Sequence, residues 1–588
     1  LLLAAATLLS GCKALVQMTD RDISLAIAER QRAALDYGAP IPLNETDRPE
    51  PLPDKAAYIR NPSPSSTRLP SGFEPSAAPV TAPPTDSMPA SQPNDARTLA
   101  ASRPRRYRDR VFTLTDAITY SLQHRRAYQS AKEDLYLSAL ALTLERHLWT
   151  PQFAAELRTV YGNFGEIRKF DQAMRFVSDL SVSQRLPYGG DFTARAVNTL
   201  IRDVKQTITA SETGQIQFDL RIPFLRGAGH VSHEALIQLE RDLTYAVRDF
   251  ERFRRQQVVQ IARQYFDLLR SKQEVIDAED SVERAAVDFD RAAAIEDAAP
   301  IDAAVTAPLD TRRAQQRLLS EESRAATLRE TFRFATDQFK LLIGMPVDDM
   351  LGIEDFEDIE SIERRIVSGA APLLGRPEAA GDERRSLAVA TQYRLDLLTR
   401  RDQIDDAKRG VSIARNDLLP NFDWNSSLTF DTDPLHFNSG AFETNRATWR
   451  SEVVLSMNDR FAERNRYRSS LIDVRRSERN YIDTLEQVRV DVRRAVNQLR
   501  LQDRVLKIQI ENVSVAEFRA EFAREQFNNG DLGNRDVVEA EDELIRAQNS
   551  LNRAKTSSWS ALLDFRLATE TLRFDDSGGR GDHPGNEG

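Results

Sequence analysis

Two carboxylates near the C-terminal end of the chain have the type and spacing to act together. Asp536 and Glu539 stand three residues apart, just after the run Asn528-Asn529-Gly530-Asp531-Leu532-Gly533. That run is turn chemistry, with Gly530 and Gly533 fitted to a chain reversal. The three-residue spacing puts both carboxylates on one face of the helix that follows. Carboxylates held side by side attract cations and raise one another's pKa by repulsion. Asp310 occupies a comparable place after an earlier break, residues 299–308. The plainer alternative is three exposed helix carboxylates beside turns, which charged helices carry as a matter of course. The rest of the chain offers little chemistry. Its six histidines are scattered, and none has metal-ligand spacing with the sole cysteine, Cys12. No nucleophile, metal or paired-acid signature is present, so neither an enzyme nor a cofactor is expected.

The elements that must position these groups repeat. A charged helical stretch runs into Pro151 and Phe153, and a second into Pro420 and Phe422. After each proline the hydrophobic period changes from helical to strict alternation. Proline suits such a junction because it lacks an N–H and disfavours helix at the residue before it. Alternating segments follow at 153–161, 176–186, 192–200 and 214–224, and again at 422–430 and 449–457. Apolar on one side and charged on the other is what a strand between lipid and an aqueous lumen needs; a soluble sandwich alternates in the same way. Four of these segments are strong, and the turn Pro187-Tyr188-Gly189-Gly190 raises the count to six if its hairpin joins the wall. Either number is too few to close a bacterial barrel, which predicts association of several chains.

Between the strand sets the spacing predicts very long helices. Leu236, Leu239, Leu243, Ala246, Phe250 and Phe253 keep a three-four rhythm, which then steps by one to Val258, Ile261, Tyr265 and Leu268. This is a coiled-coil-like seam with a discontinuity. Thr115 is a plausible N-cap for the helix expected to run on to about His147. Composition agrees: 29% of the 588 residues are charged and only 7% aromatic, which suits extended helices with solvated faces. A net charge of -10 argues against a nucleic-acid partner, which wants a concentrated basic footprint. No run is long and apolar enough for a transmembrane helix, so a membrane-spanning form must use strands.

At the N-terminus, LLLAAATLLSGCK places Cys12 after Leu9-Ser10-Gly11, which resembles the lipobox of a bacterial lipoprotein signal. Such a signal is cut before the cysteine, which is then acylated and holds the N-terminus on outer-membrane lipid. A secretory apolar segment or a buried terminal helix is the alternative. Residues 23–35 suit a short helix. More than half of the chain's 26 prolines then fall within residues 40–105, a composition that cannot bury a core.

Taken in order, FTLTDAI at 112–118, the junctions at Pro151 and Pro420, IPFLRGAG at 222–229, IARQYFDLL at 261–269, LLIGMP at 341–346 and FNNGDLGNRDVVEAEDELIRAQ at 527–548 resemble the TolC family of outer-membrane efflux proteins. The resemblance implies an α+β membrane protein with two internal repeats. Long antiparallel coiled-coil-like helices and transmembrane β-strands would close into a trimeric β-barrel and α-barrel. It implies a homotrimer that docks with a periplasmic adaptor protein and an inner-membrane transporter. Asp536 and Glu539 match family positions whose acidic side chains ring the periplasmic aperture, with Asp310 as their counterpart in the first repeat. Gly530, Leu532 and Gly533 match the adaptor-docking turn. The domain division that follows is a signal at 1–12; an N-terminal segment and Pro-rich linker at 13–111; repeat one at 112–346; an equatorial insert at 347–380; repeat two at 381–573; and a tail at 574–588. The competing reading is a lipid-anchored periplasmic coiled-coil scaffold without a channel. Replacing Cys12 with serine is expected to abolish incorporation of radiolabelled fatty acid into the full-length protein expressed in a Gram-negative host.

Overall fold

The computed structural model describes residues 21–35, 111–163, 172–203, 211–298, 307–354, 356, 381–432, 442–457, 459–529 and 534–572. The chain divides into two units. One (Leu1–Asp20, Pro40–Val111, Asp349–Gly352) lies almost wholly outside the described residues. The architecture below is that of the other (Arg21–Ala39, Phe112–Asp348, Ile353–Gly588).

Six strands form one antiparallel sheet in chain order: β1 (Gln152–Asn163), β2 (Gln172–Arg185), β3 (Asp191–Asp203), β4 (Ser211–Pro223), β5 (Asn421–Thr432) and β6 (Phe442–Ser456). The Pro187–Gly190 hairpin therefore belongs to the sheet. Register places Phe153, Val182, Ala194, Phe218, Leu428 and Trp449 in line across all six strands. Successive strand residues point to opposite faces, so this row lies on an apolar face. Phe153 and Leu157 are each 77% exposed. On that face the Trp424 indole Nε1–H donates to Ser451 Oγ (2.9 Å) and the Trp449 indole to Ser426 Oγ (3.0 Å). The two serines sit opposite one another, so both indole donors are satisfied within the sheet. The other face is charged, and there Arg195 Nε donates to Asp179 across strands at 3.0 Å.

The β2–β3 turn explains its glycines. Gly189 and Gly190 have φ of +98° and +90°, in the left-handed region. A Cβ on Gly190 would lie 2.0 Å from the Arg221 carbonyl oxygen of β4, so the neighbouring strand's backbone fits only against a bare Cα.

The helices are α1 (21–35), α2 (Leu114–His124), α3 (Arg126–Leu148), α4 (Glu234–Ala298), α5 (Ala307–Ile343), α6 (Gly381–Tyr393), α7 (Leu395–Asn416), α8 (Phe461–Asn528) and α9 (Asn534–Ala568). At 1.5 Å per residue the 65-residue α4 is about 98 Å long. In α1, Ile23, Ala26 and Ile27 are buried, and Arg30 pairs with Glu240 of α4 at 2.8 Å. Two expectations are corrected. Thr113, not Thr115, caps α2: its Oγ1 accepts from Asp116 N while Asp116 reaches back to Thr113 N, a reciprocal capping box. The helix also does not run unbroken to His147. It stops at Arg125, whose backbone is extended, and LLIGMP packs into the break: a Cβ on Gly344 (φ +82°) would lie 2.7 Å from the His124 carbonyl oxygen. In the second half Arg394 interrupts α6 and α7 with nearly the same geometry.

The α4 seam buries Leu243, Phe250, Val258, Ile261, Tyr265 and Leu268. At the phase step it buries Glu251, Arg254 and Arg255 as well. There Arg255 pairs with Glu251 (2.9 Å) and with Glu570 (3.1 Å), which lies just past α9 in the left-handed region at φ 56°. Further along, α9 packs on α4, each long helix also packing against its hairpin partner.

Gly190→Ala is expected to destabilise detergent-extracted protein by about 1–3 kcal/mol through strain and collision. Gly410→Ala, in α7 with nothing within 4 Å of the added Cβ, is expected to be neutral or to gain up to about 1 kcal/mol. Thermal unfolding midpoints of the two variants beside wild type check both.

Candidate channel wall and aperture

The α8–α9 hairpin sets the aperture candidates. Its seam near the turn is built of small side chains: Ala520 and Ala523 of α8 pack on Ala540 of α9, with Val537 and Leu544 beside them. Farther along, Ala516 and Val513 meet Ala547. Only at the other end does the seam become bulky, where Val488, Val492, Leu499, Leu562 and Phe565 cluster. Because Val537 and Ala540 turn inward to this seam, Asp536 and Glu539 are left on an outer face, and both are exposed. The structure thus brings this pair together on one helical face. Asp310 lies in the first turn of α5, and its side chain is outside what the structure describes. Cys12, Gly530, Leu532 and Gly533 also lie outside the described residues.

A residue that spacing did not single out ties the two hairpins together. Arg317 of α5 donates to Asp542 of α9 at 2.6 Å and to Asp288 of α4 at 3.5 Å. Burial holds the Asp288 carboxyl above its ordinary range, with the Arg317 charge opposing that shift. Arg317 was not legible in the sequence because it belongs to a helix dense in arginine, and only packing identifies the one that bridges. Among the described residues no cluster of His, Cys, Asp or Glu could hold a metal ion, and no helix is long and apolar enough to cross a membrane.

Toward the sheet, α4 and α7 meet through charges. Arg248 pairs with Asp402 (2.7 Å), Arg409 with Asp406 (2.8 Å) and with Glu234 (3.1 Å), and the Tyr245 hydroxyl donates to Asp406. Burial, then the bond to Asp406, pushes the Tyr245 phenol well above its ordinary value. At the foot of the sheet a cavity of about 490 Å³ is lined by Trp149, Arg185, Asp191, Arg221, Arg226 and Asp423, among others. Arg185 pairs with Glu145 (3.0 Å) and Arg221 with Asp423 (3.2 Å).

A two-faced sheet continued by paired long helices is the fold of solved outer-membrane channels. The outer-membrane channel OprN superposes with a TM-score of 0.53 at 15% identity, the match covering 80% of this chain and 94% of OprN. VceC of Vibrio cholerae gives 0.52 at 14%, covering 78% and 95%. The CmeC channel of Campylobacter jejuni gives 0.52 at 13%, covering 84% and 95%. No curated protein matches by sequence. Residues 387–569 match the family described as outer membrane efflux protein. That match takes in the Pro420 junction and the α8–α9 hairpin, where the sequence motifs resemble the same kind of protein.

The buried carboxyl of Glu570 makes a pH prediction. Burial raises its pKa above the ordinary value against the opposing charges of Arg255, Arg252 and Arg394, with Asp396 adding to the rise. The folded state therefore holds that proton more tightly than the unfolded chain. Its contribution to stability is full below the ordinary carboxyl pKa and is lost as pH rises through the raised one. Glu570→Gln removes this slope, so the melting-temperature difference, variant minus wild type, is expected to become more positive as pH rises from 4 toward neutrality, by about a few degrees at most.

Proposed function

We propose that this protein is the exit duct of a tripartite efflux or secretion system, closed as a homotrimer in the outer membrane. The observation that carries the reading is the pair of unlike open edges on a two-faced sheet. Among the described residues, strands β1 and β6 each have one neighbour only, and both carry exposed apolar side chains, Leu157 on one and Val453 on the other. In hydrocarbon an unpaired strand edge leaves backbone polar groups without partners, so the edges must meet. Unlike edges meet head to tail and close a ring. The helices present the same problem. Hairpins α4–α5 and α8–α9 join through α9 and α4, leaving α5 with exposed Phe334 and α8 with exposed Phe518 as outer members. With a 6-stranded sheet per chain, one copy falls short of the roughly eight strands a bacterial barrel needs. The threefold choice comes from the family likeness.

In this reading the apolar face meets lipid and the charged face lines the lumen. An acyl chain on Cys12 holds the N-terminus to the membrane. Asp536, Glu539 and Asp310 surround the periplasmic aperture, and the turn at Gly530, Leu532 and Gly533 receives a periplasmic adaptor. An inner-membrane transporter supplies the energy, and the duct itself catalyses no reaction. Arg317, bridging Asp288 and Asp542, holds the two hairpins together in the narrow state.

The test is conductance of detergent-extracted protein in planar bilayers. Discrete cation-selective steps that grow by about two-fold or more in Asp536→Ala/Glu539→Ala are the expected result for carboxylates that narrow an aperture. Steps unchanged by the substitution move the aperture elsewhere. A water-soluble monomer that does not insert overturns the duct and favours the periplasmic scaffold.

A further inference from the structure

The register of the sheet lines up charges that are far apart in sequence. Arg185 of β2 stands opposite Asp191 of β3, Asp191 opposite Arg221 of β4, Arg221 opposite Asn425 of β5, and Asn425 opposite Glu452 of β6. These residues form one transverse row on the charged face, at the helical end of the strands. Side chains directly opposite in an antiparallel pair have Cβ atoms about 4.5–5.5 Å apart. The sign therefore alternates along the row: positive, negative, positive, neutral, negative. Asp191, Arg221 and Glu452 are exposed, and the 490 Å³ cavity opens on Arg185, Asp191 and Arg221, so the row borders space that water can fill.

We infer that this row is a charge-compensated collar that sets the ion selectivity of the sheet end of the duct. The inference rests on the duct reading. A ring of one sign focuses a field and excludes ions of that sign. Here Arg185 and Arg221 both stand beside Asp191, and Glu452 follows across the neutral Asn425, so the two signs of the row offset one another. As it stands, the collar lets solutes of either sign, and zwitterions, pass the sheet, and leaves discrimination by charge to the helical end. The paired acids Glu145 and Asp423 support the arginines from below. The selectivity of the collar is thus a balance, and removing either sign exposes the other.

The experiment measures reversal potentials in planar bilayers under a KCl gradient. Wild type and the Asp536→Ala/Glu539→Ala background are each compared with Asp191→Asn/Glu452→Gln and with Arg185→Gln/Arg221→Gln. The potassium-to-chloride permeability ratio is expected to fall by about three-fold or more when the acids are neutralised and to rise by a similar factor when the arginines are. A general loss of fold cannot produce opposite shifts of this kind. Conducting channels whose ratio stays at the wild-type value in both variants, or moves the same way in both, overturn the collar and leave the duct standing. Absence of conductance from folded, inserted oligomer in both backgrounds overturns the duct reading and the collar with it.

Discussion

In the proposed duct, a peptide group of the sheet in hydrocarbon must find its hydrogen-bond partner within protein, and that constraint organises the molecule. It requires the strands to pair, which neighbours do over nine residues between β4 and β5 and up to thirteen between β2 and β3. It also accounts for the satisfaction of small polar groups on the apolar face, where Ser426 and Ser451 accept from the two tryptophan indoles. Among the described residues, the two outer strands, β1 and β6, each leave one edge unpaired. The Pro151 and Pro420 junctions mark where helix gives way to strand, and the bare Cα of Gly190 lets β4 pass close to the β2–β3 turn.

Below the sheet the balance of forces differs. The long helices pack through narrow apolar seams, and polar groups enter where the apolar rhythm slips. The step in α4 turns Arg254 and Arg255 inward, where Glu251 and Glu570 meet them. Charges buried in this way contribute little net stability but are costly to leave unpaired. Of these pairs, Arg255–Glu570 joins α4 to the segment just past α9.

Much of this was legible in the sequence. Alternation after Pro151 and Pro420 gave the strands, and the three-four rhythm gave the long helices, because both signals are periodic and long. The phase step in α4 was visible as a discontinuity, though not as a site of buried arginines. The cap of α2 was misplaced by two residues because Thr113 and Thr115 both precede the apolar run, and only Thr113 has an acidic residue three positions on. The break at Arg125 has no local signature, and the chain packed against it, at Gly344, lies more than two hundred residues away. The transverse row from Arg185 to Glu452 was equally hidden, because cross-strand register is set by turns and by the whole sheet. Asp536 and Glu539 were readable as a pair because their relation is local, whereas Arg317 acquires its partners only in the packed hairpins.

The change in side-chain size along the α8–α9 seam has a mechanical consequence. At one end Phe565 and Leu562 interlock with Val492 and Leu499, and sliding one helix past the other there would break close-packed contacts. At the other end alanine meets alanine, and the flanking attachments are exposed ion pairs, Arg519 with Glu543 and Arg524 with Glu541, each worth under about 1 kcal/mol. Stiffness therefore falls along the hairpin toward its turn. A force applied at the turn is absorbed there as helix displacement, while the interlocked end and the sheet above it keep their shape. The hairpin works as a tapered cantilever, rigid at the root and compliant at the tip.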